Sequence, residues 1–381
     1  MKKLLFLSLA AFLAACSCGH TPNPEPDPDP TPVKPDPPVT VIDDGGFARG
    51  ADISWVSEME HDGRSFRKKD GTQADILEVL RDCGFTAIRL RVWVNPYGGW
   101  SGKEDVLALA KRVHAAGMGL MVDFHNSDFF ADPSRQQIPA AWAADEANLD
   151  KMCTHVANHT TEVLQALKTA GIDVRWVQVG NETRNGMLWP AGQLWNSSGD
   201  LPDGRKHFAQ LYSAGYKAAK AVYPDALVMP HLNNAYEDND WWFKQISAAG
   251  ARFDAIALSH YPQAESAMTA AQYNQKALAG IRQLHAAYGI PVIVSEVGVM
   301  PSKGDAAAVL KEFMTAARAI DGCAGVFYWE PEVYGGWVPA VYKDADAIQR
   351  FTGKRETWGS YNQAAFTSDG RPSSILDAFA L

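Results

Sequence analysis

From about residue 46 to its end the chain alternates between two kinds of apolar pattern. The first is a short run of apolar, often β-branched residues that stops at a polar or aromatic side chain. Such runs read as strands buried on both faces. They occur at 49–54, 86–94, 119–124, 177–182, 227–230, 253–259, 291–296 and 325–329. The second pattern places apolar residues three and four apart, as in Ile76, Leu77, Leu80 and Cys83, and reads as amphipathic helix. It predicts helices at 72–83, 104–116, 148–170, 206–222, 240–249, 270–288 and 305–320, with a last one at 373–379. Gly84, Gly117, Gly171, Gly250 and Gly289 each follow one of these helices, as expected of C-terminal caps, and Tyr223-Pro224 stops another. Apolar strands covered by helices make a parallel sheet, and eight such units make an α/β chain folded as a (β/α)8 barrel in a single domain. An open doubly wound sheet is the alternative, but no glycine-rich phosphate loop follows the first strand.

The first 45 residues follow neither pattern. Met1-Lys2-Lys3 is basic and residues 4–15 are apolar, too short a run to span a bilayer as a mature helix. This is the layout of a signal peptide, expected over 1–15. Leu13-Ala14-Ala15-Cys16 resembles a bacterial lipoprotein cleavage box, which would leave Cys16 as the lipidated first residue of the mature chain. A plain signal peptide with a chance cysteine is the alternative. Residues 16–45 then form a linker, nearly half proline between 21 and 38, with acidic residues interspersed. It is too polar to pack, and as an extended polyproline-type spacer it reaches about 50–60 Å. The barrel is expected over 46–381, on an exported protein of the outer membrane, at the cell surface or on the periplasmic face. No acidic residue directly follows Cys16 to point to one face.

Composition narrows the picture further. A net charge of −9 and the lack of a basic cluster argue against a nucleic-acid partner. Five cysteines fit no zinc spacing, and Cys83, Cys153 and Cys323 read as reduced core residues. Twelve tryptophans suit a sugar cleft, where indole rings serve as stacking platforms, but tryptophan is also ordinary core material. A monomer is expected.

The chemistry gathers where strands end. Val177-Gln178-Val179-Gly180-Asn181-Glu182 and Pro291-Val292-Ile293-Val294-Ser295-Glu296 are both apolar runs finishing in glutamate. Barrel enzymes place their reacting groups at the carboxyl ends of strands. Asp52, Arg89, Trp93, His125, Asn181, Glu182, His231, Tyr261, Glu296 and Trp329 all fall at such ends. Strands four and seven face each other across an eight-stranded mouth, so Glu182 and Glu296 can form the two-carboxylate pair of a glycoside hydrolase. Either glutamate alone reads equally well as the first polar residue after a strand. His125 and His231 could ligate a metal, but no third ligand has suitable spacing, so no metal or cofactor is expected in catalysis.

These stretches, with Arg49-Gly50-Ala51-Asp52-Ile53-Ser54, Ile88-Arg89-Leu90-Arg91-Val92-Trp93-Val94-Asn95-Pro96, Asp123-Phe124-His125-Asn126-Ser127-Asp128, Gly186-Met187-Leu188-Trp189-Pro190, His231-Leu232-Asn233, Ser259-His260-Tyr261-Pro262 and Val326-Phe327-Tyr328-Trp329-Glu330-Pro331, resemble glycoside hydrolase family 53 over about residues 47–379. That family belongs to clan A of retaining barrel enzymes, and its members are endo-β-1,4-galactanases. The resemblance implies cleavage of β-1,4-galactan or type I arabinogalactan, with Glu182 as acid/base and Glu296 as nucleophile. It implies that Arg89 keeps Glu296 ionised, that Asn181 meets the sugar 2-hydroxyl, and that Tyr261 hydrogen-bonds Glu296. A plain salt bridge is the alternative for Arg89. His125 and His231 would order the carboxylates or meet sugar hydroxyls. Trp329 would floor the reacting subsite. Asp52, Trp93, Ser127, Asp128 and Asn233 become candidate sugar contacts, with Trp189 and Trp337 as looser ones that suit a loop core equally well. Some bacterial relatives carry an Asp-x-Asp-x-His-x-Asn calcium loop after the nucleophile. Residues 297–305 lack it, and Asp344-Ala345-Asp346 offers a pair of hard oxygen ligands at best, so that calcium site is not expected, while a structural calcium elsewhere stays open. Two other readings stay open: a clan A hydrolase of mannan, xylan or cellulose, and a glycan-binding lipoprotein without catalysis, which would be expected to have lost one of the glutamates.

Overall fold

Eight parallel strands form a ring that closes through its fifth member. The computed structural model describes residues 42–263, 267–359 and 362–381. The strands are β1 (Ala48–Asp52), β2 (Ala87–Val92), β3 (Gly119–Phe124), β4 (Trp176–Val179), β5 (Leu227–Met229, continued by His231–Leu232), β6 (Ile256–His260), β7 (Val292–Val297) and β8 (Cys323–Trp329). Hydrogen-bonded neighbours run β4-β3-β2-β1-β8-β7-β6. Leu227–Met229 pairs with β4, and His231–Leu232 pairs with β6. Pro230, between the two halves, has no N–H to give, but its carbonyl accepts the Ala257 N–H at 3.1 Å. That closure makes the sheet a (β/α)8 barrel and excludes the open sheet.

The helices between strands are α1 (Val56–His61), α2 (Ile76–Asp82), α3 (Lys103–Ala115), α4 (Leu149–Thr169), α5 (Gly204–Val222), α6 (Asp240–Ala248), α7 (Ala270–Tyr288) and α8 (Ala306–Arg318). Their starts are chemically marked. Asp75 caps α2, Asn148 caps α4, and Thr269 with Gln272 forms a capping box on α7. Short α1 and the pair α9 (Ala340–Lys343) and α10 (Ala345–Thr352) lie in loops where no helix was expected. The expected last helix is a 3-10 turn, Ser374–Phe379. No described helix is long and apolar enough to cross a membrane. Contacts divide the chain into Met1–Pro38 and Val39–Leu381. The signal peptide, Cys16 and most of the expected linker lie outside the described residues. From Ile42 the chain is already tied to the barrel, its N–H bonded to Gly117 O at 2.8 Å.

Alternation along the strands splits the protein into an outer and an inner core. Val177, Val179, Ile88, Leu90, Leu120, Val122, Val292 and Val294 belong to the large cluster between strands and helices. Ala48, Ala87, Met121, Trp176, Met229, Ala257, Ile293 and Phe327 form a separate cluster inside the ring. Phe327 fills the ring so closely that a Cβ on Gly50 would lie 2.0 Å from it, so only glycine fits there. One step further along the same inward-facing positions come Asp52, Arg89, Asp123, Gln178, His231 and Ser259, all buried. The barrel is thus apolar at one end and densely polar at the other.

Strand β7 breaks the alternation. Leu258 and Ser259 are adjacent in β6, yet they pair with Val294 and Glu296. On its other side β7 shows the same slip between Val294 and Val297, after an opposite one between Val292 and Ile293, where β8 carries the extra residue. One extra residue, at Ser295–Glu296, makes a β-bulge. Strict alternation from inward Ile293 would turn Ser295 inward and Glu296 toward the helices. The bulge instead turns Glu296 to the mouth and returns Val297 to the outer core.

Candidate active site

The site is built around Arg89, which is 1% exposed and reaches the mouth from β2. Its Nε donates to Gln178 Oε1 at 2.8 Å and its Nη1 to Asp52 Oδ2 at 2.7 Å. Its Nη2 lies within hydrogen-bond distance of Asp123 Oδ2 (2.8 Å), Asn181 Oδ1 (2.9 Å) and Glu296 Oε1 (2.9 Å). A buried guanidinium is costly unless paired, and this one faces three carboxylates. Burial works against its charge, but Asp123, Glu296 and Asp52 outweigh it and hold Arg89 protonated. Burial likewise opposes ionisation of Asp123, yet Arg89 and His125 bring its carboxyl down to about 2.

Glu296 is 5% exposed and receives the Tyr261 hydroxyl on Oε2 at 2.6 Å. Its pKa is raised, because burial lifts it and Arg89 and Tyr261 pull it only part of the way back. Glu182 lies beyond the end of β4, where Gly180 (φ 87°) and Glu182 itself (φ 46°) turn the backbone. A non-glycine residue in this region is strained, and such strain gathers at functional sites. Among the described residues no cation forms an ion pair with Glu182; burial and the neighbouring Glu296 push its pKa up to about 8. The two glutamates therefore differ as an acid and a nucleophile must, one holding its proton near neutrality and the other braced by donors.

Ser259 Oγ lies 2.6 Å from Glu182 Oε1 and 3.5 Å from Glu296 Oε2. Those oxygens are thus at most about 6 Å apart, shorter than the roughly 6.5 Å at which inverting pairs begin.

The two histidines hold this frame. His125 Nδ1 accepts the Ala131 N–H at 2.9 Å, so its proton sits on Nε2, 2.9 Å from Asp123 Oδ2. His231 bridges Asn181 Oδ1 (2.9 Å) and Ser259 Oγ (2.8 Å). Asn181 spends its oxygen on Arg89 and His231 and donates one amide hydrogen to Ala131 O at 2.8 Å. Its second amide hydrogen is left for a ligand.

Among the expected sugar contacts, Trp329 lines a cavity of about 300 Å³ beside Glu296, together with Arg91, Phe130, Arg135, Tyr342 and Trp358. Asp52 lines it too, but both its oxygens are engaged, by Arg89 and by Ser54, so its task is to anchor Arg89. Trp93 and Trp337 are 2% and 3% exposed and offer no platform to a sugar. Trp93 packs against Trp55, Phe129 and Phe130, and Trp337 packs against Trp55 and donates to Asp62 at 2.9 Å. Trp93, Trp55 and Phe130 face the Arg91 guanidinium, and Trp337 packs behind Trp55. Ser127, Asp128 and Trp189 line a neighbouring hollow instead. There Asp128 braces the loops by accepting from Asn95 N at 2.9 Å and Ala140 N at 2.8 Å. Asn233 accepts from Arg184 Nε at 2.7 Å. The buried members Asp123, Gln178 and Ser259 were not foreseen. Their signal was a polar residue at an inward position of an apolar strand. Glu356, which also lines the cavity and lies 3.3 Å from Arg135, comes from a loop, as do Arg135 and Trp358, and none carried such a signal.

Among the described residues no group of acidic, histidine or cysteine side chains is arranged to hold a metal. Asp344 is occupied locally, capping α10 through Asp346 N and Ala347 N and meeting the Tyr97 hydroxyl. Cys83, Cys153 and Cys323 are free thiols.

Comparison with known proteins follows from this geometry. The model of glycosyl hydrolase family 53 matches residues 48–379. The "Probable arabinogalactan endo-beta-1,4-galactanase A" of Aspergillus terreus is 32% identical over 312 residues, covering 74% of this chain and 85% of that protein. Among solved structures, an Ignisphaera aggregans GH53 catalytic domain superposes with a TM-score of 0.72 at 26% identity, over 90% of this chain and 98% of that one. A fungal β-1,4-galactanase superposes with a TM-score of 0.70 at 26% identity, over 87% and 98%.

Proposed function

This chain belongs to glycosyl hydrolase family 53, and on that premise we propose how its residues carry out the reaction. It is an endo-acting hydrolase of β-1,4-galactan and arabinogalactan, in keeping with its curated relatives. The observation that carries the residue assignment is the contrast between two neighbouring carboxyls, Glu296 braced by Arg89 and Tyr261, and Glu182 without a cation.

In the first step Glu296 attacks the anomeric carbon as the bond to the leaving oxygen breaks, and Glu182 gives its proton to that oxygen. The product is a galactosyl ester on Glu296 and a shortened chain bearing a free hydroxyl. In the second step Glu182, now a carboxylate, takes a proton from water as the water oxygen attacks the same carbon. Glu296 leaves as a carboxylate, and two inversions give net retention. Asn181 gives one amide hydrogen to Ala131 O, which supports a role for the other in meeting the sugar 2-hydroxyl, a contact that strengthens in the transition state. The cavity reaches Glu296 and its lining does not include Glu182, which supports a place there for the sugars on the glycone side, over Trp329.

Digestion of galactan, mannan, xylan and cellulose, with proton NMR of the first products, tests this reading. Galactan alone is cut, and the new reducing end appears first as the β-anomer. Initial release of the α-anomer, or no attack on galactan, overturns it.

We further propose that the protein is an exported lipoprotein anchored through Cys16 by a Pro/Asp-rich tether. The order of basic start, apolar run, small residues and cysteine supports this. Labelled fatty acid enters the wild-type protein and not Cys16→Ser, which partitions into the soluble fraction. Equal labelling of the two sinks the idea.

A further inference from the structure

The residues that position the acid of this reaction can be read from a chain of hydrogen bonds whose directions are forced. The chain begins at Arg89, which can only donate. Its Nη2 therefore fixes the atom 2.9 Å away as the Asn181 oxygen, and Ala131 O, 2.8 Å from the other end, fixes that end as the amide nitrogen. The orientation of Asn181 is thus settled by its partners.

His231 follows. Its Nδ1 lies 2.9 Å from that oxygen, and two lone pairs do not approach so closely without a proton between them. The Glu182 N–H also points to Nδ1, but at 3.3 Å, the longer and weaker of the two contacts. His231 is neutral: it is wholly buried, and burial beside Arg89 depresses its pKa well below the usual range. A neutral imidazole carries one proton. With that proton on Nδ1, Nε2 is an acceptor, and the partner 2.8 Å away is the Ser259 hydroxyl. Ser259 has one hydrogen to give. Given to His231, it leaves a lone pair of Oγ facing Glu182 Oε1 at 2.6 Å.

We propose that Ser259 is a positioning residue that accepts the proton of Glu182, so that Arg89, Asn181, His231 and Ser259 together hold Glu182 in its acid form. The proposal rests on the assignment of Glu182 as acid/base. One guanidinium then acts on both glutamates in opposite senses. It meets Glu296 directly and favours its carboxylate. Through three uncharged groups it presents Glu182 with an acceptor and favours its neutral form. When Glu182 has given its proton away, the Ser259 hydroxyl can rotate from His231 to the new carboxylate. The anion is then met by a donor only after the transfer.

Other charges also face Glu182. Glu296 from β7 and Asp132 from the loop after β3 favour its protonation, Arg89 from β2 opposes it, and Arg184 lies two residues along its own loop. Tyr261 follows β6 and is committed to Glu296. The contribution of Ser259 must therefore be read as a shift on top of these.

The test is the pH dependence of kcat/KM on galactan, which reports the free enzyme. In Ser259→Ala the acceptor is gone, and the basic limb moves to lower pH by about one unit, the worth of one hydrogen bond. Ser259→Thr keeps the hydroxyl and restores the wild-type limb. A limb that moves to higher pH means that Ser259 donates to a carboxylate, and a limb that does not move means a structural role; either overturns the proposal. Nitrogen-15 NMR of the wild-type protein gives a second readout that needs no variant. His231 shows the Nδ1–H tautomer below the limb, and an Nε2–H tautomer overturns the proposal. Failure of the acid assignment is separately visible. Glu182→Ala would then keep its activity on galactan, whatever tautomer His231 adopts.

Discussion

Replacing Glu296 with alanine lowers galactan turnover by at least about 10⁴-fold, as expected when the nucleophile of a covalent mechanism is removed. The barrel survives the change. Arg89 keeps Asp52 at 2.7 Å and Asp123 at 2.8 Å, so no buried cation is left unpaired. The lost carboxylate is one of three around a single guanidinium, and its removal relieves repulsion among them. The Tyr261 hydroxyl loses its acceptor, at a cost of about 1–3 kcal/mol. Thermal unfolding therefore changes little while activity disappears, which separates a chemical role from a structural one. The vacated space admits a small anion. Azide revives cleavage of an activated aryl galactoside and leaves an α-galactosyl azide, because it attacks from the side Glu296 occupied. Residual galactan activity above about 1% of wild type would remove Glu296 from the mechanism.

Replacing Glu182 with alanine lowers galactan turnover by about 10²–10⁴-fold, the usual worth of a general acid. The loss depends on the substrate. An aryl galactoside whose phenol leaves without help is still attacked by Glu296, and the glycosyl-enzyme then accumulates because its hydrolysis lacks a base. Azide now restores turnover with retained stereochemistry, as a β-galactosyl azide. The pH profile carries the sign. The wild-type acid must start protonated, its pKa is pushed up to about 8, and activity is therefore lost as pH rises through that value. In Glu182→Ala that limb vanishes. A variant that keeps the limb places the titrating acid elsewhere, with Glu330, also pushed up to about 8, as the next group to test.

The sequence revealed those features in which one residue's neighbours along the chain determine its surroundings. Glycines after helices, β-branched runs and polar residues at strand ends located all eight units and both glutamates. Arg89 was legible because it falls toward the carboxyl end of an apolar strand, within a stretch that carries the family resemblance. Trp93 reads as a sugar contact, and Trp337 as a sugar contact or loop core, because the sequence around a tryptophan suits a cleft and a core with equal ease. Here Trp55 and Arg91 claimed them for the core. Asp52 reads as a sugar contact from its place at the rim, and there its oxygens meet Arg89 and Ser54. The wall formed by Arg135, Glu356 and Trp358 depends on two loops meeting, and the local sequence of neither loop reports the other. The slip in β7 was hidden for a related reason, since it exists only in the pairing with β6 and β8.

That slip has a bearing on how homologous genes are sorted. The nucleophile faces the mouth although β7 carries one residue more than β6 between the pairs Leu258–Val294 and Ser259–Glu296, so its placement is set by counting as well as by chemistry. A gene that lacks Ser295 would pair these strands without a slip and still turn Glu296 inward, since alternation from Ile293 then reaches it directly. Such a gap falls one codon before the nucleophile and would pass for damage to the motif. The residue paired with Ser259, and not an ungapped strand, is the character that tells a working site from a broken one.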